Sequence, residues 1–126
     1  MKTPVSTASA PSAIGPYSQG IKNQGTLYIS GQIGLIPGDT EIVHKRISEQ
    51  IDQVFANIVA ILSEANASID DILKLNIYLT DLANFGLVNK KMEKLFKPPY
   101  PARATVEVSC LPKGAIVEID AIAKCD

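Results

Sequence analysis

Two charged residues lie inside segments whose pattern is typical of β-strands. Arg103 begins one segment, and Glu118 lies between Val117 and Ile119 in the next. Strand interiors rarely bury a charge unless it is paired, so an ion pair of Arg103 with Glu118 or Glu107 is one interpretation. The other is a reactive site, because an arginine fork binds a carboxylate bidentately and a second carboxylate can position water. The two residues alone leave both interpretations open.

The remaining reactive side chains exclude several kinds of chemistry. The single histidine, His44, excludes two-histidine ribonuclease sites, His-rich zinc sites and HExxH proteases; it lies in a polar, loop-like stretch where we expect it to be solvated. Cys110 and Cys125 lack CxxC spacing, and we expect both to be reduced thiols packed inside the fold. Lys74 is expected to be an ordinary strand residue. Because the sequence also lacks a phosphate-binding glycine motif and metal-ligand spacing, we expect no metal site.

The composition is typical of a globular protein with its own core. The chain has 126 residues, of which 46% are hydrophobic and 20% charged, which predicts a single domain over residues 1–126. The net charge of −1 lacks the basic excess of nucleic-acid-binding modules. A cluster formed by Lys90, Lys91, Lys94 and Lys97 is interpreted as complementing a helix dipole. Neither a membrane span nor a targeting segment is recognisable, which predicts a cytosolic protein with no membrane partner.

Hydrophobic periodicity predicts the element order ββ-α-β-α-ββ. Strands are expected over 17–24, 27–30, 72–80, 103–109 and 115–124, and helices over 47–62 and 81–97. Gln24-Gly25 predicts a hairpin turn, and Asn66 is expected to end the first helix. A right-handed crossover would place both helices on one face of a single sheet. The expected class is therefore a two-layer α+β domain.

The face of the sheet that the helices leave uncovered has a mixed character. Tyr78, Thr105, Ile116 and Ile122 are expected to share it with charged side chains. Such a face is too apolar to be fully solvated. We therefore predict that a neighbouring subunit covers it and that the protein is an oligomer.

Six sequence blocks span almost the whole chain. They are APSAIGPYSQ at 10–19, SGQ at 30–32, NIYLTD at 76–81, PARATVEV at 101–108, LPKG at 111–114 and VEIDAIA at 117–123. Together they resemble the reactive intermediate deaminase family (Rid, also called YjgF), and most closely its RidA branch. The resemblance implies a chorismate-mutase-like fold, in which a six-stranded mixed sheet carries two helices on one face. It also implies a homotrimer with three clefts between subunits.

The same resemblance implies an activity and a site. RidA-type members hydrolyse 2-iminobutanoate and 2-iminopropanoate to 2-keto acids and ammonia, without a cofactor. By position, Arg103 would hold the substrate carboxylate together with the backbone N–H of Gly31, and Glu118 would orient the attacking water. Pocket-lining positions match Tyr17, Ser30, Asn89 and the backbone of Thr105. Many RidA-type members have a cysteine where this chain has Thr105, so we expect a mechanism that uses only the backbone there.

Two other interpretations remain open. A ribonuclease or translation inhibitor, a name that some family members have carried, is supported only by the lysine cluster, and we expect no nucleic-acid partner. A non-enzymatic trimer that binds small carboxylates, or acts as a chaperone or regulator, would keep Arg103 but give Glu118 no catalytic role.

Overall fold

One six-stranded sheet organises the chain, as a computed structural model of residues 1–42 and 46–126 shows. The strands are β1 Thr3–Val5, β2 Gly20–Asn23, β3 Thr26–Gln32, β4 Ile72–Leu79, β5 Ala102–Glu107 and β6 Val117–Lys124, and the helices are α1 Ile47–Glu64 and α2 Phe85–Leu95. The strand order is β1-β2-β3-β6-β4-β5. The β4–β5 pair is parallel and the other neighbouring pairs are antiparallel. The expected mixed sheet and α+β class are confirmed.

Both helices lie on the same face of this sheet. Helix α1 packs against β3 and β6, and α2 packs against α1. The rings of Phe55 and Phe96 meet edge to face, with centroids 6.2 Å apart. Fully buried side chains between the layers include Leu27, Val54, Phe55, Ile58, Ile61, Leu62, Leu75, Ile77, Leu79, Val117 and Ile119. We call the side of the sheet under the helices the covered face and the opposite side the open face.

Local signals place the ends of several elements where the sequence predicts them. Gln24 and Gly25 both have positive φ, 52° and 79°, as a two-residue hairpin turn of type I′ requires. Helix α1 ends two residues before Asn66, which adopts a left-handed φ of 58°. Ser68 and Asp71 form a capping box on the 3₁₀ turn that precedes β4.

Two strand predictions need correction. Strand β1 has only three residues and contains Pro4, so it carries no readable alternation and periodicity missed it. Strict alternation from Ile72 to Thr80 predicts that Leu73 shares a face with Leu75, Ile77 and Leu79, but Leu73 is 54% exposed whereas those three are buried. The pairing of β4 with β6 shifts between Ile72 and Lys74, which makes Leu73 the extra residue of a β-bulge.

The predicted face of Thr105 is also wrong. Thr105 pairs with Ile77 in the parallel β4–β5 ladder, and lateral neighbours in a sheet point to the same side. Thr105 therefore lies on the covered face, whereas Ala104 and Val106 lie on the open face with Tyr78. An error of one residue in strand phase exchanges the two faces completely.

The second helix and the thiols differ from expectation in smaller ways. A 3₁₀ turn at Leu82–Asn84 precedes α2, and the Asp81 carboxylate accepts from its backbone N–H at Ala83 (2.9 Å). Cys125 is buried, as expected, but Cys110 is exposed.

The expectation for His44 falls outside the described residues. None of the helices described here has the length and apolar character needed to cross a membrane.

Candidate functional site

Glu118 projects from the open face beside an irregularity in β3. The register between β3 and β6 shifts between Ile29 and Gln32, so the bulge contains Gly31. A Cβ atom placed on Gly31 would lie 2.5 Å from Glu118 Oε2 and 2.9 Å from its carboxyl carbon. Only glycine lets the backbone approach the carboxyl group this closely. The structure therefore brings together Gly31 and Glu118, two of the residues that the family resemblance places in the site.

Gly31 and Glu118 form part of the wall of a cavity of about 310 Å³. Tyr17, which is half-exposed, also lines it. Further wall residues are Pro11, Ser12, Ile14, Gln19, Gln32, Ile33, Leu35, Gly38, Asp39, Thr40, Pro112 and Lys113. A concave, largely apolar wall around a few polar groups is typical of a small-molecule site.

Two buried amides hold the loops that form this wall. Gln19 Nε2 donates to the carbonyl of Pro11 (2.8 Å). Asn57 Nδ2, from the buried side of α1, donates to the carbonyls of Ile33 (3.2 Å) and Leu35 (2.9 Å). Sequence reasoning missed both residues. The available signal for Asn57 was its position next to the apolar stripe of α1, which indicates burial. A buried amide needs hydrogen-bond partners for its donors.

Ser30 supports the cavity from behind. Its hydroxyl donates to the carbonyl of Ser18 (2.5 Å), and its backbone N–H donates to the carbonyl of Gln19 (3.0 Å). Ser30 is absent from the wall of the cavity within one chain. The structure therefore shows Ser30 fixing the segment that carries Tyr17.

Arg103 lies on the covered face, at the outer strand β5. Its Nη1 donates to Asn89 Oδ1 (2.5 Å) and lies 3.5 Å from Met92 Sδ. Its guanidinium carbon is 4.8 Å from the centroid of the Phe85 ring, a cation–π contact. These three α2 side chains orient the guanidinium, which has five N–H donors and so retains several for an anion. Asn89, expected to line the pocket, therefore contacts the guanidinium of Arg103 directly.

A second cavity, of about 410 Å³, surrounds this arginine. Its wall includes Asn89, Met92, Tyr100 and Arg103, but not Glu118. Within one chain, the groups expected to bind carboxylate and to position water therefore lie in separate cavities.

The strand registers explain this separation. Arg103 pairs with Leu75, which is buried under the helices, whereas Glu118 pairs with Tyr78 on the open face. Among the described residues, Arg103 forms no ion pair with Glu118 or Glu107, so the intrachain ion pair considered from the sequence is not formed. Glu107 instead accepts from the backbone N–H of Leu82 (2.9 Å).

Thr105 is next to Arg103 on the covered face. Its hydroxyl oxygen is buried and has no hydrogen-bond partner. A buried hydroxyl cannot reach a ligand in either cavity, so only the backbone of Thr105 is available for the contact that the family resemblance implies.

A polar cluster neighbours Glu118 on the open face. Asp120 accepts from Asn76 Nδ2 through Oδ1 (2.8 Å) and from the Tyr78 hydroxyl through Oδ2 (3.0 Å). Burial, and then the charge of Asp120, raise the pKa of Glu118 above its usual value. Burial also raises the pKa of Tyr78, with the hydrogen bond to Asp120 as the next cause. Sequence reasoning put Tyr78 on this face but missed the cluster, because it depends on the β4–β6 register.

Comparisons with known proteins assign this architecture to a family. The family model described as Endoribonuclease L-PSP matches residues 7–125. The chain is a RidA-type member of the Rid family. The human protein named 2-iminobutanoate/2-iminopropanoate deaminase is 41% identical over 119 residues, covering 94% of this chain and 87% of the human one.

Solved Rid structures match the fold over almost its full length. A Rid family protein from Yersinia pestis superposes with a TM-score of 0.95 at 47% identity, covering 98% of this chain and 99% of that one. RidA from an Antarctic Psychrobacter superposes with a TM-score of 0.92 at 43% identity, covering 97% and 98%. The family recognised from the six sequence blocks is therefore confirmed. In the described part of this Rid chain, no three His, Cys, Asp or Glu side chains gather as metal ligands.

Proposed function

We propose that this Rid protein hydrolyses 2-iminobutanoate and 2-iminopropanoate to the 2-keto acids and ammonia, in a homotrimer with its sites between subunits. Relatives that carry the name of this deaminase, at 41–42% identity, support the reaction. The observation that carries the proposal is the placement of Arg103 and Glu118 on opposite faces of one sheet. A site that uses both residues then requires two copies of the chain.

The surface of the chain favours such an assembly. Tyr28 and Val106, on the open face, are 50% and 46% exposed, although both are large apolar side chains in strands. A cyclic assembly brings the same two surfaces together at every interface. It can therefore bury this face and place Arg103 of one copy opposite Glu118 of the next.

Each residue then has a distinct part in the reaction. Arg103, oriented by Asn89, binds the substrate carboxylate through paired charge-assisted hydrogen bonds, and the Gly31 N–H assists. Glu118 takes a proton from a water molecule as its oxygen attacks the iminium carbon, and the C=N electron pair moves to nitrogen. Glu118 then returns that proton to the nitrogen. The C–N bond breaks as the C=O bond of the keto acid forms, and ammonia takes the remaining hydroxyl proton and leaves as ammonium. A positioned carboxylate of this kind contributes about 10²–10⁴-fold to the rate.

Mixed trimers test whether the site is shared between subunits. Arg103→Ala and Glu118→Gln chains, each inactive alone, are co-expressed with different tags in equal amounts. If each site takes its arginine from one copy and its glutamate from the next, random mixing restores about a quarter of wild-type activity. If both groups come from one copy, mixing restores none, and the proposed site is wrong.

Wild-type chains mixed with the double variant provide a matched control. Shared sites predict about a quarter of full activity, whereas sites within single chains predict about half. Activity is measured as the loss of semicarbazide-trapped imine when threonine dehydratase generates 2-iminobutanoate. Binding of a 2-keto acid without any imine turnover would contradict the enzyme assignment and favour a carboxylate-binding protein.

A further inference from the structure

Glu118 has a carboxylate neighbour that the reaction described above does not use. Asp120 lies two residues along β6, so both side chains point to the open face, with Cα atoms about 7 Å apart. Asn76 and Tyr78, directly across in β4, pair with Asp120 and Glu118 respectively. Both donors are directed at Asp120, although Tyr78 is the cross-strand neighbour of Glu118.

The hydrogen bonds are therefore distributed unequally between the two acids. Asp120 accepts one on each carboxylate oxygen, which fixes the position of its carboxyl group. Among the described residues, no side-chain hydrogen bond reaches Glu118, whose carboxyl group lies half-buried against Gly31. A half-buried carboxylate without donors, beside a fixed like charge, binds a proton more tightly than a solvated one.

We propose that Asp120 is a positioning residue that acts through Glu118: its carboxylate, held by Asn76 and Tyr78, makes Glu118 a proton acceptor strong enough to activate water. This inference rests on the imine hydrolysis proposed above. A general base works best when its proton affinity matches the working pH, and an ordinary glutamate is too weakly basic. Asp120 raises the pKa of Glu118 in the required direction, in addition to burial.

Other ionisable groups also surround Glu118. They are Tyr78 on β4 and Tyr17, Asp39 and Lys113 in the cavity wall. Lys113 Nζ donates to the carbonyl of Thr40 (3.0 Å), which holds its ammonium group at the loop. Asp120 is the acid that shares both the strand and the face of Glu118. Its removal is therefore the cleanest way to change the charge around Glu118.

The pH profile of kcat/KM tests the inference in the intact assembly. Asp120→Asn keeps the shape of the side chain and removes its charge, so Glu118 stays ionised to lower pH. The acid limb of the profile should move down by about 0.5–1 pH unit, and the plateau should fall about threefold because the base is weaker. Asp120→Glu restores the charge and should keep the limb near its wild-type position. Asp70→Asn, an exposed acid far from the site, should not move it.

A direct titration of Glu118 distinguishes failure of this inference from failure of the proposed reaction. The side-chain carboxyl of Glu118, assigned with the Glu118→Gln variant, is followed by ¹³C NMR in wild type and Asp120→Asn. A downward shift of the midpoint supports the inference, and an unchanged midpoint overturns it even if activity falls. If wild type hydrolyses no imine, the reaction is wrong, while the titration still decides the effect of Asp120. Asp120→Ser is the second charge-free variant if Asp120→Asn does not assemble.

Discussion

The two faces of the sheet are built from alternate residues of the same strands, yet the helices of the chain bury only one of them. On the covered face, Leu75, Ile77 and Leu79 of β4 are fully buried by the helices of their own chain. On the open face, Asn76 and Tyr78 of the same strand remain partly exposed. The chain supplies the whole core of the first face and leaves the second partly exposed, where the proposed assembly would cover it.

The proposed site spans this difference. Arg103 belongs to the covered face, where α2 orients it, and Glu118 belongs to the open face, where Gly31 and Asp120 surround it. Because Arg103 and Glu118 lie on opposite faces, each is held by its own rigid elements. Their charges do not pair with each other in the free chain. Substitutions on the two faces should therefore have different kinds of effect.

The largest effect is expected at Arg103. Arg103→Ala should lower kcat/KM for 2-iminobutanoate about 10²–10³-fold, because two charge-assisted hydrogen bonds to the substrate carboxylate are lost. The proposed trimer should persist, since the hydrogen bond of the side chain and its contacts with Met92 and Phe85 are all made to α2 of its own chain. Trapping assays and analytical ultracentrifugation measure the two properties. Lys97→Ala, which removes a cation at the end of α2, is the matched control, and near-normal turnover by Arg103→Ala would contradict the assignment.

A pair of truncations compares the faces directly. Ile77→Ala, on the covered face, should lower the free energy of unfolding by about 3–4 kcal/mol, because it opens a cavity in a packed core. Val106→Ala, on the open face, should cost less than about 1 kcal/mol per chain but should weaken assembly. Urea unfolding at fixed protein concentration and sedimentation separate these effects. Equal losses of stability with unchanged assembly would show that the open face is not an interface.

The smallest residue of the site provides the next contrast. Gly31→Ala places a methyl group where the Glu118 carboxyl now lies, so kcat should fall about 10–100-fold as the base is displaced. Gly86→Ala is the matched control, because a Cβ there meets nothing within 4 Å and alanine favours the helix by about 0.5–1 kcal/mol. Steady-state kinetics of both variants decide the result. Wild-type kinetics in Gly31→Ala would mean that Glu118 works from another position.

The covered face was largely predictable from the sequence, because burial imposes a readable period. Apolar spacing predicted α1 and a stop signal at Asn66, and the strand expected over 115–124 contains β6. The open face was predictable only in outline. Its mixed residues have no strong period, so nothing in the pattern set the phase of Thr105 in β5.

The candidate site shows the same limit. Residue type and context singled out Arg103 and Glu118, and the family resemblance added Gly31. Their location on opposite faces depends on strand pairing and on the β3 bulge. The link between Glu118, Asp120 and Tyr78 depends on register across β4 and β6, between residues about 40 positions apart in sequence.

The finest difference between the faces concerns the hydroxyl of Thr105, which is buried without a partner on the covered face. Thr105→Val replaces it with a methyl group of similar shape, so the free energy of unfolding should rise by about 1 kcal/mol as the desolvation cost disappears. Thr105→Ser keeps the hydroxyl and removes the methyl group, so it should be less stable than wild type by a similar amount. Imine turnover should be unchanged in Thr105→Val if only the backbone contacts the substrate. A less stable valine variant in urea unfolding would instead show that the hydroxyl has a hydrogen-bond partner inside its own chain.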